Sequence, residues 1–151
     1  LDIFPRNIES GYFADITRTV IKGKPSDILK DMFQVVLQGQ KIGVQLVKAG
    51  RNSKTIHNSI KDFFDDSGFH TDFAKNNPDG FIHSTGHGLG LDIHEPPRVS
   101  SLSEVLKSNN VITIEPGLYY PKIGGIRIED TVVVTEKGCR NLTSFPKIFE
   151  I

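Results

Sequence analysis

The sequence predicts an α+β protein in which two antiparallel hairpins are separated by a helical segment. Three observations support this prediction: an extended stretch rich in β-branched residues before residue 22, apolar residues at helical spacing over residues 28–64, and two extended runs after residue 110. With 151 residues the chain is long enough to bury one core, so we expect a single domain.

The first hairpin is predicted within residues 1–22. The run GYFADITRTVI, from Gly11 to Ile21, interleaves polar residues with β-branched and aromatic ones, which is typical of a half-buried strand. The short apolar run LDIF precedes it, and PRNIES between the two supplies turn residues.

Two helices are predicted to follow the first hairpin. Ser26 or Asp27 is a candidate N-cap for a helix that carries one apolar face and ends before Gly50. A second helix is predicted to begin at residues 52–53 and to end at Gly68. We expect the apolar residues of both helices to pack in the core.

The second hairpin is predicted from VITIEPGLYY and GIRIEDTVVVT, which flank a PKIGG turn, with KGCRNLTSF as a closing turn and tail. The preceding stretch, SLSEVLKSNN, is predicted to be a connector with one helical turn. Asn109 and Asn110 suit a tight turn at its end, because asparagine tolerates positive φ.

Charge and composition exclude several classes of function. Lysine and arginine number 18, as do aspartate and glutamate, and no basic block indicates nucleic-acid binding. No apolar run approaches the roughly 20 residues that span a bilayer. The only cysteine, Cys139, cannot form an internal disulfide, so we expect a reducing, cytoplasmic compartment. Because a basic block and a membrane-spanning run are both absent from the sequence, we expect neither a nucleic-acid nor a membrane partner.

The two hairpins share a spacing pattern that includes acidic residues. An acid falls four residues after Gly11 and a threonine six residues after it, and both offsets recur from Gly125. Each hairpin also has an acid on its first strand. The four acids are Asp2, Asp15, Glu115 and Glu129.

Paired acids in apolar hairpins indicate a bound cation. Facing positions in an antiparallel pair lie about 5 Å apart, where two carboxylates repel and their burial is costly. Solvated acids at an exposed strand edge are the alternative interpretation, but two such pairs in one chain favour a cation. Carboxylates suit Mg²⁺ or Mn²⁺, and a histidine ligand adds Co²⁺, Fe²⁺ and Zn²⁺.

The stretch FIHSTGHGLGLDIHEPP places three histidines, His83, His87 and His94, on a glycine-rich backbone. A helix is excluded because each interior glycine costs about 1 kcal/mol relative to alanine. The zinc-protease pattern and the phosphate-binding glycine patterns are also absent. An extended segment that lets backbone and ligand approach closely remains, beside the alternative of structural or surface histidines.

Four stretches now occur in a recognisable order: GYFADITRT, HSTGHGLGLDIHEPP, VITIEPGLYY and GIRIEDTVVVTEKG. Together they resemble the M24 metallopeptidase family, and in particular its Xaa-Pro branch of aminopeptidase P and prolidase. The resemblance covers nearly the whole chain. It implies the α+β pita-bread fold, with the two hairpins forming a curved sheet and the helices on one face.

The resemblance also implies a dinuclear metal centre and an activity. Five side chains would hold two divalent ions, with Mn²⁺ expected and Co²⁺, Zn²⁺ or Fe²⁺ as alternatives: Asp2, Asp15, His87, Glu115 and Glu129. Asp15 and Glu129 would bridge the ions. The implied reaction is hydrolysis of the bond between the first residue of a peptide and a following proline.

Four residues receive further roles from the same resemblance. His94 would stabilise the tetrahedral intermediate, and His83 would contact the substrate. Arg127 would orient and neutralise the bridging carboxylates. Glu115 would act as the proton shuttle.

Two features depart from the family pattern. The separation of Asp2 and Asp15 is longer than usual, and no helical pair precedes the first hairpin. Because the sequence starts at Leu1 and its only methionine is Met32, we expect residues 1–151 to be part of a catalytic domain, truncated before its upstream helices. The sheet face that those helices would cover is then expected to be apolar, and the chain to be a homo-oligomer. A non-catalytic M24-like binding module, a metal-free creatinase type and an inactive fragment are the alternatives.

Overall fold

The computed structural model describes residues 1–151 and contains two helices and nine strands. The helices are α1 (Asp27–Leu46) and α2 (Ser53–Asp66). The strands are β1 (Asp2–Ile3), β2 (Ile16–Thr17), β3 (Gly86–Gly88), β4 (Glu95–Val99), β5 (Val111–Ile114), β6 (Gly117–Tyr120), β7 (Gly124–Arg127), β8 (Asp130–Val134) and β9 (Cys139–Asn141).

All strand pairs are antiparallel. The largest sheet has the order β4-β3-β5-β8-β9, while β1 pairs with β2 and β6 pairs with β7 in two smaller sheets. The pairs Ile112–Val132 and Leu118–Ile126 belong to one register, so β5–β6 and β7–β8 form a single hairpin with a break in its middle. Pro116 lies in the break, and it has no N–H to continue the ladder.

Both predicted helices are present, and they pack on one face of this hairpin. Gly39 and Gly43 allow the close approach: a Cβ at Gly39 would lie 2.5 Å from the ring of Phe64 in α2, and one at Gly43 would lie 2.8 Å from Ile114 in β5. The N-cap of α2 is Asn52, as predicted. Neither helix is long and apolar enough to cross a membrane.

A contiguous hydrophobic core lies between the helices and the second hairpin. It contains 18 buried residues, and so the helix and strand patterns predicted from sequence converge on one core. Its largest fully buried members are Met32, Ile56, Ile60, Phe64, Leu106, Ile112, Ile114, Leu118, Ile126 and Ile128. The predicted α+β fold, with two antiparallel hairpins and helices on one face, is therefore confirmed.

Two local predictions are wrong. The connector over residues 101–110 contains no helical turn, because Val105 forms an isolated bridge with Asn52 and holds the segment extended. The predicted closing tail contains a strand, β9, which pairs with β8. The turn before β5 is confirmed, with Asn109 at a φ of 69°.

The first hairpin is short and exposed. Its strands contain two residues each, and no strand lies beside β1 on its outer edge. Ile3 and Phe4 are more than half exposed and Ile8 is completely exposed. Large apolar side chains of the first hairpin are therefore exposed.

Candidate metal centre

Three buried side chains from three parts of the chain converge on one point. Asp15, His87 and Glu129 each offer a donor atom, and these atoms all lie within 4.8 Å of one another. Asp15 directly precedes β2, His87 is the middle residue of β3, and Glu129 directly precedes β8. The fold thus brings together Asp15 and Glu129, which are more than 100 positions apart in sequence, with His87 from between them.

The other two predicted ligands lie beside this cluster. Glu115 Oε1 is 3.3 Å from His87 Nε2 and accepts a hydrogen bond from Thr113 Oγ1 at 3.0 Å. Asp2 is less buried, with 45 % of its side chain exposed, and its Oδ2 accepts from Arg127 Nη2 at 2.6 Å. All five predicted ligands line one cleft of about 290 Å³.

Thr17 connects acids from both hairpins. Thr17 lies opposite Asp2 in the β1–β2 pair, so Asp2 and Asp15 are diagonal rather than facing. Its Oγ1 is 2.7 Å from Asp2 Oδ1 and 2.7 Å from Glu129 Oε2, and Arg127 Nε donates to it at 3.1 Å. Because a hydroxyl has one hydrogen, Thr17 satisfies only one of the two carboxylates at a time.

Glu129 carries a buried oxygen without a partner. The residue is 1 % exposed, and its Oε1 has no hydrogen-bond donor. Burial, with the charges of Glu115 and Asp15, raises the pKa of Glu129 to about 8. Burial also raises the pKa of Asp15 to about 6, although nearby His87 opposes this shift. A cation bound here would compensate both the missing partner and the crowded charge, so these residues fit a divalent ion.

The backbone around His87 fixes the orientation of its imidazole. His87 N donates to Thr113 Oγ1 at 3.0 Å, and the ring Nδ1–H donates to the Gly88 carbonyl at 3.0 Å. Nε2 is therefore the nitrogen directed at Asp15 and Glu115. In a metal-binding histidine, one ring nitrogen usually binds the ion while the N–H of the other ring nitrogen donates to a carbonyl or carboxylate oxygen.

The extended, glycine-loosened segment predicted around the histidines is present as β3. A Cβ at Gly86 would lie 2.0 Å from the carbonyl oxygen of Thr113 in β5, and one at Gly88 would lie 2.6 Å from the carbonyl oxygen of Pro96 in β4. The two glycines therefore let β3 lie between its neighbours, at the distance that positions His87.

We expect Gly86→Ala to destabilise the chain by more than about 3 kcal/mol, because the Thr113 carbonyl has no free space in which to move. Urea unfolding of the two proteins measures this difference. Gly138→Ala is the matched control, since a Cβ there meets no atom within 4 Å, and we expect a change within about 0.5 kcal/mol. Equal unfolding midpoints for Gly86→Ala and Gly138→Ala would contradict the close-approach argument.

The remaining predicted site residues line a larger adjoining cleft of about 490 Å³, which also contains His87 and Glu115. His83 Nδ1–H donates to the Ser84 carbonyl at 2.7 Å, and its Nε2 accepts from the Tyr119 hydroxyl at 3.1 Å. Burial lowers the pKa of His83, which keeps the ring neutral at pH 7. The exposed ring of His94 lies 4.3 Å from that of His87, because the chain bends after Gly90.

Arg127 contacts different acids from those expected. Its guanidinium binds Asp2 at 2.6 Å and lies 3.9 Å from Glu115, and it reaches the Glu129 side chain only through Thr17. Nη1 also donates to the Tyr119 hydroxyl at 3.2 Å. In this arrangement Arg127 neutralises the acids on the first strand of each hairpin.

Sequence reasoning missed three polar groups of the site: Thr17, Thr113 and Tyr119. Thr17 had a signal, since the threonine six residues after Gly11 belongs to the repeated spacing. Thr113 and Tyr119 lie an even number of residues from Glu115 and so share its face of the hairpin, but polarity alone does not distinguish them from ordinary strand residues.

Fold and cluster together define a two-hairpin α+β protein with a candidate carboxylate–imidazole metal centre. The chain belongs to metallopeptidase family M24, whose sequence model matches residues 2–136.

Several relatives carry related names. The chain is 45 % identical over 133 residues to the Xaa-Pro dipeptidase of Pyrococcus furiosus, a match that covers 87 % of the chain and 36 % of that protein. The solved Xaa-Pro dipeptidase of Bacillus anthracis matches with a TM-score of 0.85 at 40 % identity, over 93 % of the chain and 38 % of that structure. The X-Pro aminopeptidase of Thermotoga maritima matches equally well, with a TM-score of 0.84 at 39 % identity and the same coverage. The chain thus spans little more than a third of the length of these relatives.

Addition of Mn²⁺ to the metal-free chain is expected to raise its melting temperature, and the increase should grow as the pH rises from 6 to 8. The proton on Glu129, with a pKa of about 8, has to leave before the carboxylate binds an ion. Below pH 8, each further decrease of one pH unit weakens the apparent free energy of ion binding by about 1.4 kcal/mol. Thermal melts at fixed free Mn²⁺, with EDTA as the blank, measure the shift. A shift that does not vary with pH would argue against binding at Glu129.

Proposed function

We propose that this chain supplies the metal-binding part of a catalytic domain that hydrolyses the Xaa-Pro bond at the N-terminus of a peptide. The observation that carries the proposal is the buried Glu129 oxygen, which has no hydrogen-bond partner. It belongs to a cluster of potential metal ligands with Asp15 and His87. The family membership and the names of the relatives support the same reaction class. Residues 1–151 are proposed to form only part of that domain.

The proposed cofactor is a pair of divalent ions, with Mn²⁺ expected from a donor set of four carboxylates and one imidazole. Asp2, Asp15, His87, Glu115 and Glu129, which line one cleft, would hold the ions. When bound, such a pair would supply Lewis acidity that lowers the pKa of a water and polarises the scissile carbonyl.

The protein groups around the ions would handle the proton and the substrate. Glu115 lies at the junction of the two clefts, and Thr113 fixes one of its oxygens, so it is placed to carry a proton between water and the leaving nitrogen. Neutral His83 has its Nδ1 and Nε2 engaged, and it presents the ring itself to the substrate cleft. Exposed His94 is free to donate to the developing oxyanion.

Metal analysis combined with hydrolysis of Xaa-Pro dipeptides and longer Xaa-Pro peptides tests the proposal. The dipeptidase and the aminopeptidase match the chain equally well, so both substrate lengths are needed. We expect two equivalents of Mn²⁺ per chain and release of the first residue, with Xaa-Ala peptides as the control. If the chain binds no divalent metal, the proposal is contradicted and a non-catalytic binding module is favoured.

We also propose that the exposed first hairpin mediates self-association. Ile3, Phe4 and Ile8 are exposed on this hairpin and β1 has an unpaired edge, which together favour contact with a second copy. Light scattering is expected to give a mass above that of one chain, and Ile8→Ser is expected to shift it toward the monomer. A monodisperse monomer at micromolar concentration would contradict this proposal.

A further inference from the structure

A buried arginine lies directly behind the candidate metal centre. Arg18 follows β2, and its side chain is 5 % exposed. Its Nη1 donates to the carbonyl oxygens of Thr17 and Glu129, which belong to different hairpins. Arg18 therefore holds the backbone of Glu129 against the backbone that follows Asp15.

The other N–H groups of Arg18 are also occupied. Nη2 donates to Asp130 Oδ1 and to the Phe145 carbonyl, both at 2.8 Å, and Nε donates to the Pro146 carbonyl at 3.1 Å. All five N–H donors of the guanidinium thus have acceptors. Such a network fixes position as well as charge, which an ammonium with three donors on a flexible stem cannot reproduce.

A second bond runs in the opposite direction between the hairpins. Thr131, which is 5 % exposed, donates through Oγ1 to the carbonyl oxygen of Asp15 at 2.8 Å. Each hairpin therefore supplies a donor that binds the carbonyl of the other hairpin's buried acid. A backbone bond from Glu129 N to the Thr17 carbonyl, at 3.1 Å, lies between the two.

The two donors do not occupy equivalent positions of the repeat in the sequence. Thr131 lies two residues after Glu129, and Arg18 lies three residues after Asp15. Thr131 lies in β8 and Arg18 directly follows β2, so the segment after each acid holds the acid of the other hairpin. The two carboxylates are fixed relative to each other through their main chains, independently of any contact between the side chains.

We propose that Arg18 and Thr131 are positioning residues that set the distance between the Asp15 and Glu129 carboxylates and thereby the metal affinity of the centre. This inference rests on the proposed function, in which these two acids would help to hold the ions. Neither side chain donates to the carboxylate of Asp15 or Glu129; both donate to the backbone carbonyls of these acids. Residues that orient metal ligands in this way typically change metal affinity by about 10- to 100-fold when they are replaced.

The decisive variants are Arg18→Lys, Thr131→Val and Lys147→Met. Arg18→Lys keeps the charge beside Asp130 but loses the span to the Glu129 carbonyl, and Thr131→Val keeps the shape but loses the bond to Asp15. Lys147→Met is the matched control, because Lys147 also pairs with Asp130 but contacts neither acid of the centre. Mn²⁺ affinity by calorimetry and unfolding midpoint are measured for all three.

We expect Arg18→Lys and Thr131→Val to weaken Mn²⁺ binding at least about 10-fold, while Lys147→Met lowers the unfolding midpoint and leaves the affinity within about twofold. If Arg18→Lys does not fold, Thr131→Val carries the test alone. Unchanged affinity in a folded Thr131→Val variant, or an affinity that falls equally in Lys147→Met, would overturn the inference. No Mn²⁺ binding by the unchanged chain overturns both proposals, whereas binding without Xaa-Pro hydrolysis contradicts only the proposed function.

Discussion

Glu129→Gln is expected to weaken Mn²⁺ binding by at least about 100-fold while the metal-free chain remains folded. Glutamine has almost the same shape but supplies no charge and only one oxygen. Since replacement of groups that merely orient a ligand costs about 10- to 100-fold in metal affinity, the loss of a direct donor should equal or exceed the upper value. Xaa-Pro hydrolysis should fall in parallel.

The same substitution should have the opposite effect on the metal-free protein. The raised pKa of Glu129 means that the folded state disfavours its charged form. The residue therefore opposes folding increasingly as the pH rises from 4.5, the ordinary pKa of a glutamate, to about 8, its pKa in the folded chain. A neutral glutamine side chain at this position removes the cost. Above pH 8 the metal-free variant should therefore be at least as stable as the unchanged chain.

Thermal melts with and without Mn²⁺ distinguish these effects. At 100 times its dissociation constant an ion stabilises the native state by about 2.7 kcal/mol, and a 100-fold weaker site at the same concentration gives only about 0.4 kcal/mol. Glu136→Gln, at an exposed position beyond β8, is the control and should retain the full metal shift. A Glu129→Gln variant that keeps the shift would exclude Glu129 as a ligand.

The helices and hairpins could be predicted because their signals are local. Apolar spacing and capping residues identified α1 and α2 to within a few residues at each end. The connector and β9 could not be predicted in the same way. The CRN sequence of β9 has little strand character, and it becomes a strand only because β8 offers it a free edge.

The residues of the candidate site also differ in whether the sequence gives a local signal for them. Acids and histidines could be predicted because charged groups in apolar or glycine-rich stretches are unusual, and Asp15, His87 and Glu129 indeed meet. Arg18 gave no such signal, since one arginine in a strand is ordinary. Its partner Asp130 is 112 residues away, and only the packing of the two hairpins reveals the pair.

Asp130→Asn is expected to destabilise the chain by about 3–5 kcal/mol, because it leaves buried cations without their anion. Asp130 is 1 % exposed and accepts four hydrogen bonds in this structure. The donors are Arg18, Gln40, Asn141 and Lys147. Asparagine offers a single acceptor oxygen, and its NH₂ group would face at least one of these donors.

Urea unfolding of the metal-free chain measures this effect without interference from ligand binding. Asp27→Asn is the matched control, since Asp27 pairs with Lys30 at 3.7 Å but is almost completely exposed. Ion pairs of that kind contribute little in water, and a charge at the start of α1 contributes less than about 1 kcal/mol, so its unfolding midpoint should change far less than that of Asp130→Asn. Equal midpoints for Asp130→Asn and Asp27→Asn would show that the buried network does not stabilise the fold.

The pH dependence provides an independent test of the same network. Burial alone would raise the pKa of Asp130, but hydrogen bonds from Lys147, Arg18 and Asn141 outweigh burial and hold it below its ordinary value of 3.8. A carboxyl with a lowered folded-state pKa contributes its full stabilisation above the unfolded-state value and loses it as the pH falls through the folded-state value. Stability should therefore fall more steeply below pH 3.8 in the unchanged chain than in Asp130→Asn, so that the two unfolding curves converge in acid. Parallel curves would mean that the charge of Asp130 does not hold the two hairpins together.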